Sequence, residues 1–313
     1  MNRNNSWPFE TGSSGVLASG RWLWLRAILW ALLLSSGTMV IFLATQFLAP
    51  WLHLPPSSNY PIVLLLPVVA FVLYAFTVHK AEQRVATEVL PFFRMLGDLI
   101  VGAVFGFCML SAMLASLWAV RLYHVEWHRW RHAFEAFLFN SYLSAMLEEL
   151  MFRAILLRIL ARAFGARWGL ALSSILFGLA HLTHGTWLAA LGITINAGLT
   201  MGLFYMATGR LWMSVGLHIG WDFTEGSILG VNNPDGLLRS IPITGRSDIL
   251  TGGSFGPDVS VFAYIIGIIA VATILYAREK GWFNLYEGYF GTLLPTKPLA
   301  PLRRLRRKAS HAI

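Results

Sequence analysis

Cysteine is nearly absent from this sequence: Cys108 is the only one in 313 residues. A single thiol excludes an intrachain disulfide framework and any cysteine-based metal site within one chain. Its place inside an apolar run predicts a buried structural thiol. Charge is scarce too, at 12% Asp, Glu, Lys and Arg, where ordinary soluble domains carry about 25%. With 56% hydrophobic residues, that shortage excludes a soluble globular domain. The opening stretch, MNRNNSWPFETGSSGVLASG, lacks a short apolar core followed by a small-residue cleavage site. It reads as a polar tail and not as a removable signal peptide. There is no repeat of fixed period, and no low-complexity tract beyond a basic C-terminal stretch.

What the sequence has is apolar length. A helix crossing the hydrocarbon layer needs about 20 mainly apolar residues. Candidate spans cover 27–49, 60–79, 97–120, 136–160, 168–185, 188–208, 211–229 and 259–277. The expected fold is an all-α, polytopic integral membrane bundle of about eight transmembrane helices. It divides into a polar tail (1–22), N-terminal helices with a loop (23–94), a core (95–230), an extramembrane loop (231–258), and a last helix with a basic tail (259–313). Lys and Arg gather on one side of this scheme, at Arg3, Arg21, Arg26, Lys80, Arg84, Arg94, Arg158, Arg162 and Arg167. Arg121, Arg129 and Arg131 fall on the other side and weaken the bias. The positive-inside rule then puts both termini in the cytoplasm, at the inner membrane if the source is bacterial.

The net charge of +9 is therefore mostly topology and not a nucleic-acid footprint. Arg303, Arg304, Arg306, Arg307 and Lys308 follow the last span. Such a cluster suits an anionic leaflet, at about 1 kcal/mol per basic residue. Trp51, Trp127, Trp130 and Trp187 fall near span ends, as interfacial anchors do. The patterns Gly198–Gly202 and Gly216–Gly220 place small residues four apart, which lets helices approach closely. Asn196 reads as an interhelical hydrogen-bonding group, with a substrate contact as the minority reading.

Against this background the stretch LEELMFRAIL, 147–156, stands out. Three ionisable groups at mid-membrane cost on the order of 8–10 kcal/mol if each costs about 2.5–3.5 kcal/mol. Glu149 and Arg153 are four apart with the acid first, the favourable order for a helical ion pair. Glu148 lies about 100° round the helix, so the same arginine serves it less well. A desolvated carboxylate without a dedicated partner suits a group that takes and returns a proton. The alternative is a helix-packing ion cluster. Two further pairs share a helix face: Phe177 with His181, and His218 with Asp222. Asp222 is placed to accept a bond from the His218 imidazole and fix its tautomer. At about 1.5 Å per residue, Glu148 and His181 lie roughly 18–20 Å deep, and His218 and Asp222 roughly 10–17 Å deep.

Glu148-Glu149-Leu-Met-Phe-Arg153 resembles the EExxxR motif of the CPBP intramembrane proteases, the CAAX prenyl endopeptidases and bacteriocin-processing proteins. Phe177 to His181 resembles their FxxxH motif, and His218 to Asp222 their third motif, commonly HxxxN. The resemblance covers about residues 95–230. It implies a glutamate-dependent endopeptidase acting on a membrane-associated protein or peptide. Glu148 would be the general base, with His181 assisting. Glu149 and Arg153 would orient the site, and His218 with residue 222 would stabilise the oxyanion. An ionised aspartate cannot donate a hydrogen bond, so Asp222 either stays protonated or only holds His218.

Metal-free hydrolysis is the expectation, without a cofactor. Zinc at Glu148, His181 and His218 is the minority reading, because HExxH spacing is absent and His184 sits at a loop. The rival functions are a proton-coupled transporter, against which stands the lack of an inverted repeat, and a non-catalytic membrane scaffold.

Overall fold

A computed structural model describes residues 8–283 other than 54, 56, 57, 91, 131 and 184. The basic cluster at 303–308, Arg3, Arg131 and His184 lie outside the described residues. Long apolar runs fold as helices because a backbone in hydrocarbon must satisfy its own hydrogen bonds. These are α1 (Leu23–Trp51), α2 (Asn59–Thr77, continued by a wide turn over Val78–Glu82) and α3 (Phe92–Ala119). Next come α4 (133–164), α5 (Ala166–Ala180) and α6 (Trp187–Thr208). Helices α7 (212–228) and α8 (Val261–Glu279) complete the bundle.

Five helical stretches are long and apolar enough to cross a membrane: Leu23–Leu48, Asn59–Glu82, Arg94–Ala119, Trp187–Thr208 and Val261–Glu279. Ala166–Ala180 is a shorter apolar helix. The chain is thus an all-α polytopic membrane bundle, without confirmation of the expected count of eight spans. Helix α4 is broken up by charge, and α7 is short. Helix α6 lies inside the bundle, with 67% of its apolar window buried, while α1 lies outside at 17%.

Helix ends follow local chemistry. Gly165 (φ +93°) turns the chain between α4 and α5, and Gly209 (φ +67°) ends α6 in the left-handed conformation that glycine adopts without a Cβ clash. Thr186 and Ser260 cap α6 and α8 by accepting from the amides of Ala189 and Ala263. Helices α3 and α7 are in close backbone contact. A methyl group at Gly216 would lie 2.3 Å from the Leu99 carbonyl oxygen, and one at Gly220 would lie 2.2 Å from that of Ala103. From the other side, a methyl at Gly102 or Gly106 would strike the Met213 or Leu217 carbonyl oxygen. The two glycine pairs therefore interlock, as small-residue spacing predicts.

One expectation needs correction. Cys108 is exposed on the bundle and not buried. In a membrane protein, an apolar position can face lipid as readily as core, so hydropathy alone does not assign it to the interior. Several arginines read as topology markers are also structural. Arg158 is fully buried and donates to both Glu82 oxygens at 2.7 and 2.8 Å, and Arg84 pairs with Glu82 and Glu88. Arg158 also holds the N-terminal segment through the Thr11 carbonyl. Outside the helices, Tyr123–Trp127 (β1) pairs antiparallel with Leu238–Pro242 (β2), with Val125 opposite Ser240. The Tyr123 hydroxyl donates to the Thr251 carbonyl, fastening the 230–258 segment to this ribbon.

Candidate active site

The charges of α4 are resolved by commitment of one carboxylate. Glu149 is fully buried, and its Oε1 accepts from Arg153 Nη1 at 2.7 Å and from His218 Nδ1 at 2.9 Å. Arg153, 1% exposed, also donates to the Ala197 carbonyl and approaches Met201 Sδ, both at 3.2 Å. Its guanidinium lies over the Phe177 ring, 4.3 Å from the centroid. Phe177 in turn packs against the rings of His181 (4.9 Å) and His218 (5.9 Å). One arginine thereby joins α4, α5, α6 and, through Glu149, α7. The buried charge is paired and hydrogen-bonded, the condition under which such a group is tolerated in apolar surroundings.

Glu148 is different. Neither Arg153 nor His218 bonds to it, and its Oε2, like that of Glu149, is buried without a hydrogen-bond partner. It lines a cleft of about 300 Å³ between α1, α4 and the end of α5, together with Thr38, Phe42, Phe152 and His181. His181 sits where α5 gives way to a tight turn, and its Nδ1 contacts the Phe177 carbonyl at 2.8 Å. A carbonyl only accepts, so Nδ1 carries the proton and Nε2 of the neutral ring is the basic nitrogen. The same reasoning applies to His218, since Glu149 paired with Arg153 can only accept.

His218 Nε2 lies 3.6 Å from Asp222 Oδ2, beyond hydrogen-bond length. The expectation that Asp222 fixes the His218 tautomer is therefore corrected: Glu149 does so from a separate helix. Asp222 Oδ2 instead accepts from Ser144 Oγ at 2.8 Å. His181, His218 and Asp222 share a second cavity of about 190 Å³. Its remaining wall includes Asn196, Trp221, Glu225, Phe255 and Asp258. His181 borders both spaces.

All seven residues singled out by motif thus fall in one region. Ser144, Glu225, Phe255 and Asp258 carry no motif in the sequence; Asn196 was expected as an interhelical hydrogen-bonding group, with a substrate contact as the minority reading. It does bond to the Asp258 carbonyl, at 2.6 Å. Among the described residues, no group of three or more His, Cys, Asp and Glu side chains is arranged to hold a metal ion. Wide π-type turns occur at Leu150–Leu157, Thr194–Leu199 and Phe223–Ile228, which carry Arg153, Asn196 and Glu225. Such turns are frequent at functional sites, where they re-aim side chains.

Residues 130–224 match the family model described as type II CAAX prenyl endopeptidase Rce1-like. The match contains all three motifs and ends two residues beyond Asp222. No curated protein and no solved structure matches the chain.

Proposed function

We infer that this chain, whose residues 130–224 match the type II CAAX prenyl endopeptidase Rce1-like model, is a CAAX-type intramembrane protease of the CPBP group and hydrolyses a peptide bond by glutamate-activated water. The observation that carries the reading is the unequal state of two adjacent carboxylates. Glu149 is committed through Oε1 to Arg153 and His218, whereas Glu148 has neither partner and lines a cleft shared with His181.

In this mechanism Glu148 removes a proton from water while His181 Nε2 accepts a hydrogen bond from the same water. The hydroxide equivalent adds to the scissile carbonyl carbon, and the carbonyl oxygen becomes an oxyanion. His218, held by Glu149 through Nδ1, donates from Nε2 as the doubly protonated imidazolium, whose charge Glu149 balances, where the oxyanion develops. Glu148 then returns its proton to the leaving nitrogen as the carbon–nitrogen bond breaks. Water is consumed, and the products are a carboxylic acid and an amine. Asp222 must be protonated to donate in this step, and Ser144 orients its carboxyl group.

The substrate is a membrane-associated protein or peptide, reached through the cleft beside α1. Both termini face the cytoplasm, and the basic tail rests on anionic lipid. The deciding experiment incubates purified protein with membrane-inserted peptides and reads products by mass spectrometry. Cleavage by wild type and none by Glu148→Gln is expected. Equal cleavage by both would remove Glu148 as the base.

A further inference from the structure

The second cavity has a chemical bias that the hydrolytic mechanism does not use. Beyond Asp222, its wall holds Glu225 at the end of α7 and Asp258 just before α8, and among the described residues no Lys or Arg lines it. The two additional carboxylates converge: a methyl group placed on Gly256 would lie 3.0 Å from Glu225 Oε1 and 3.2 Å from Asp258 Oδ1. Asp258 is 5% exposed, and its Oδ1 is buried without a hydrogen-bond partner. An unpaired acidic oxygen in a desolvated site is costly unless something positive or protic meets it. Phe177, Trp221 and Phe255 supply aromatic surface in the same wall, which suits an organic cation. A metal ion fits less well, because among the described residues the acidic groups do not gather into a coordinating set.

We propose that Glu225 and Asp258 form a subsite for a basic side chain, lysine or arginine, of the peptide substrate. This rests on the proteolytic reading, since the cavity adjoins His181 and His218. The occupied position is within a few residues of the scissile bond, because Asp222 belongs both to the cavity and to the proposed oxyanion site. Phe255 and Asp258 come from the extramembrane side of the chain. Selection of the basic side chain is therefore made by the end of α7 together with the segment that follows β2, and hydrolysis by α4, α5 and the His218 turn of α7.

Two measurements on the full-length protein in detergent test the subsite. The first needs no turnover: ligand-detected NMR titrations with n-butylguanidinium and n-butylammonium, against neutral n-butylurea. Saturable binding of both cations, at least tenfold tighter than the urea, is expected. Asp258→Asn and Glu225→Gln should each weaken it at least tenfold, with thermal unfolding recorded to show that both variants are folded. Equal binding of the urea, or unchanged cation binding in both folded variants, would overturn the proposal. So would calcium or magnesium binding at these carboxylates that the alkyl cations fail to displace. The second measurement reads cleavage of a membrane-peptide library randomised around its centre. Lys and Arg should be enriched at one position, with the enrichment falling towards one in Asp258→Asn; no basic enrichment in wild type would overturn it. Cation binding with no cleavage of any peptide removes the proteolytic reading and leaves the cation site. Cleavage with neither basic preference nor cation binding does the reverse.

Discussion

At the scale of single residues, the division of labour between Glu148 and Glu149 gives the sharpest expectations. Glu148→Gln keeps size and polarity, so it should lower turnover by about 10²–10⁴-fold with little loss of membrane-inserted protein on immunoblots. Glu149→Gln leaves Arg153 buried without its counter-charge, a change that typically costs about 3–5 kcal/mol. Reduced abundance and a lowered unfolding temperature should accompany its loss of activity. The adjacency of the two acids was legible in the sequence, and so was the Glu149–Arg153 pair, because both are local on one helix. The His218–Glu149 bond was not, since it joins residues 69 apart and the nearer Asp222 offered an obvious but wrong partner. Asp222→Asn supplies a donor without needing a proton, so activity should be kept or raised, with a flatter pH profile. Loss of all cleavage in that variant would count against the oxyanion role. Asp258 has its own pH signature. Burial pushes its carboxyl from 3.8 up to about 7, with the nearby Asp222 charge adding to the rise. The raised value favours the protonated form, so its contribution to stability is complete below about pH 4 and is lost as pH rises through about 7. Unfolding temperature measured from pH 4 to 8 should therefore fall less steeply in Asp258→Asn. Cation binding should tighten over the upper part of that range, with Glu225, Asp222, His181 and His218 as the other titrating groups around the cavity.

At the scale of elements, the contact between α3 and α7 decides whether His218 stays in place. Gly216 and Gly220 flank His218 and lie against the α3 backbone. Replacing either by leucine must push the helices apart. Overpacking of this kind costs about 1–3 kcal/mol, and the shift should also separate His218 from Glu149. Gly216→Leu is thus expected to lower both unfolding temperature and cleavage rate, whereas Gly37→Leu, where no atom lies within 4 Å of an added methyl, should change neither. Small-residue spacing was readable as a packing signal, but the partner helix was not, because glycine pairs occur on several helices and spacing carries no address. The same holds for Asp258 and Phe255. Their segment has no recognisable motif, and it joins the site only because β1 and β2 bring the ribbon over the end of the bundle.

At the scale of the whole molecule, composition was sufficient to place the chain in a membrane, since charge is too sparse for a water-facing surface. Span counting was less secure, because α4 spends its polarity on the site and α7 is short. A reporter fused after Ile313 and another within 52–58 should report opposite sides of the membrane; a shared side would overturn the eight-span topology. Chelator treatment should leave cleavage intact, and loss restored only by zinc would replace the glutamate mechanism by metal-bound water. His181 borders both the cleft beside α1 and the acidic cavity. An inhibitor lodged in the first space and an alkyl guanidinium in the second would therefore both press on one imidazole. Each must alter the other's dissociation constant by the same factor, since linkage between two ligands is reciprocal. Inhibition plots for the pair should then intersect away from the axes, as they do for neither two rivals for one pocket nor two strangers.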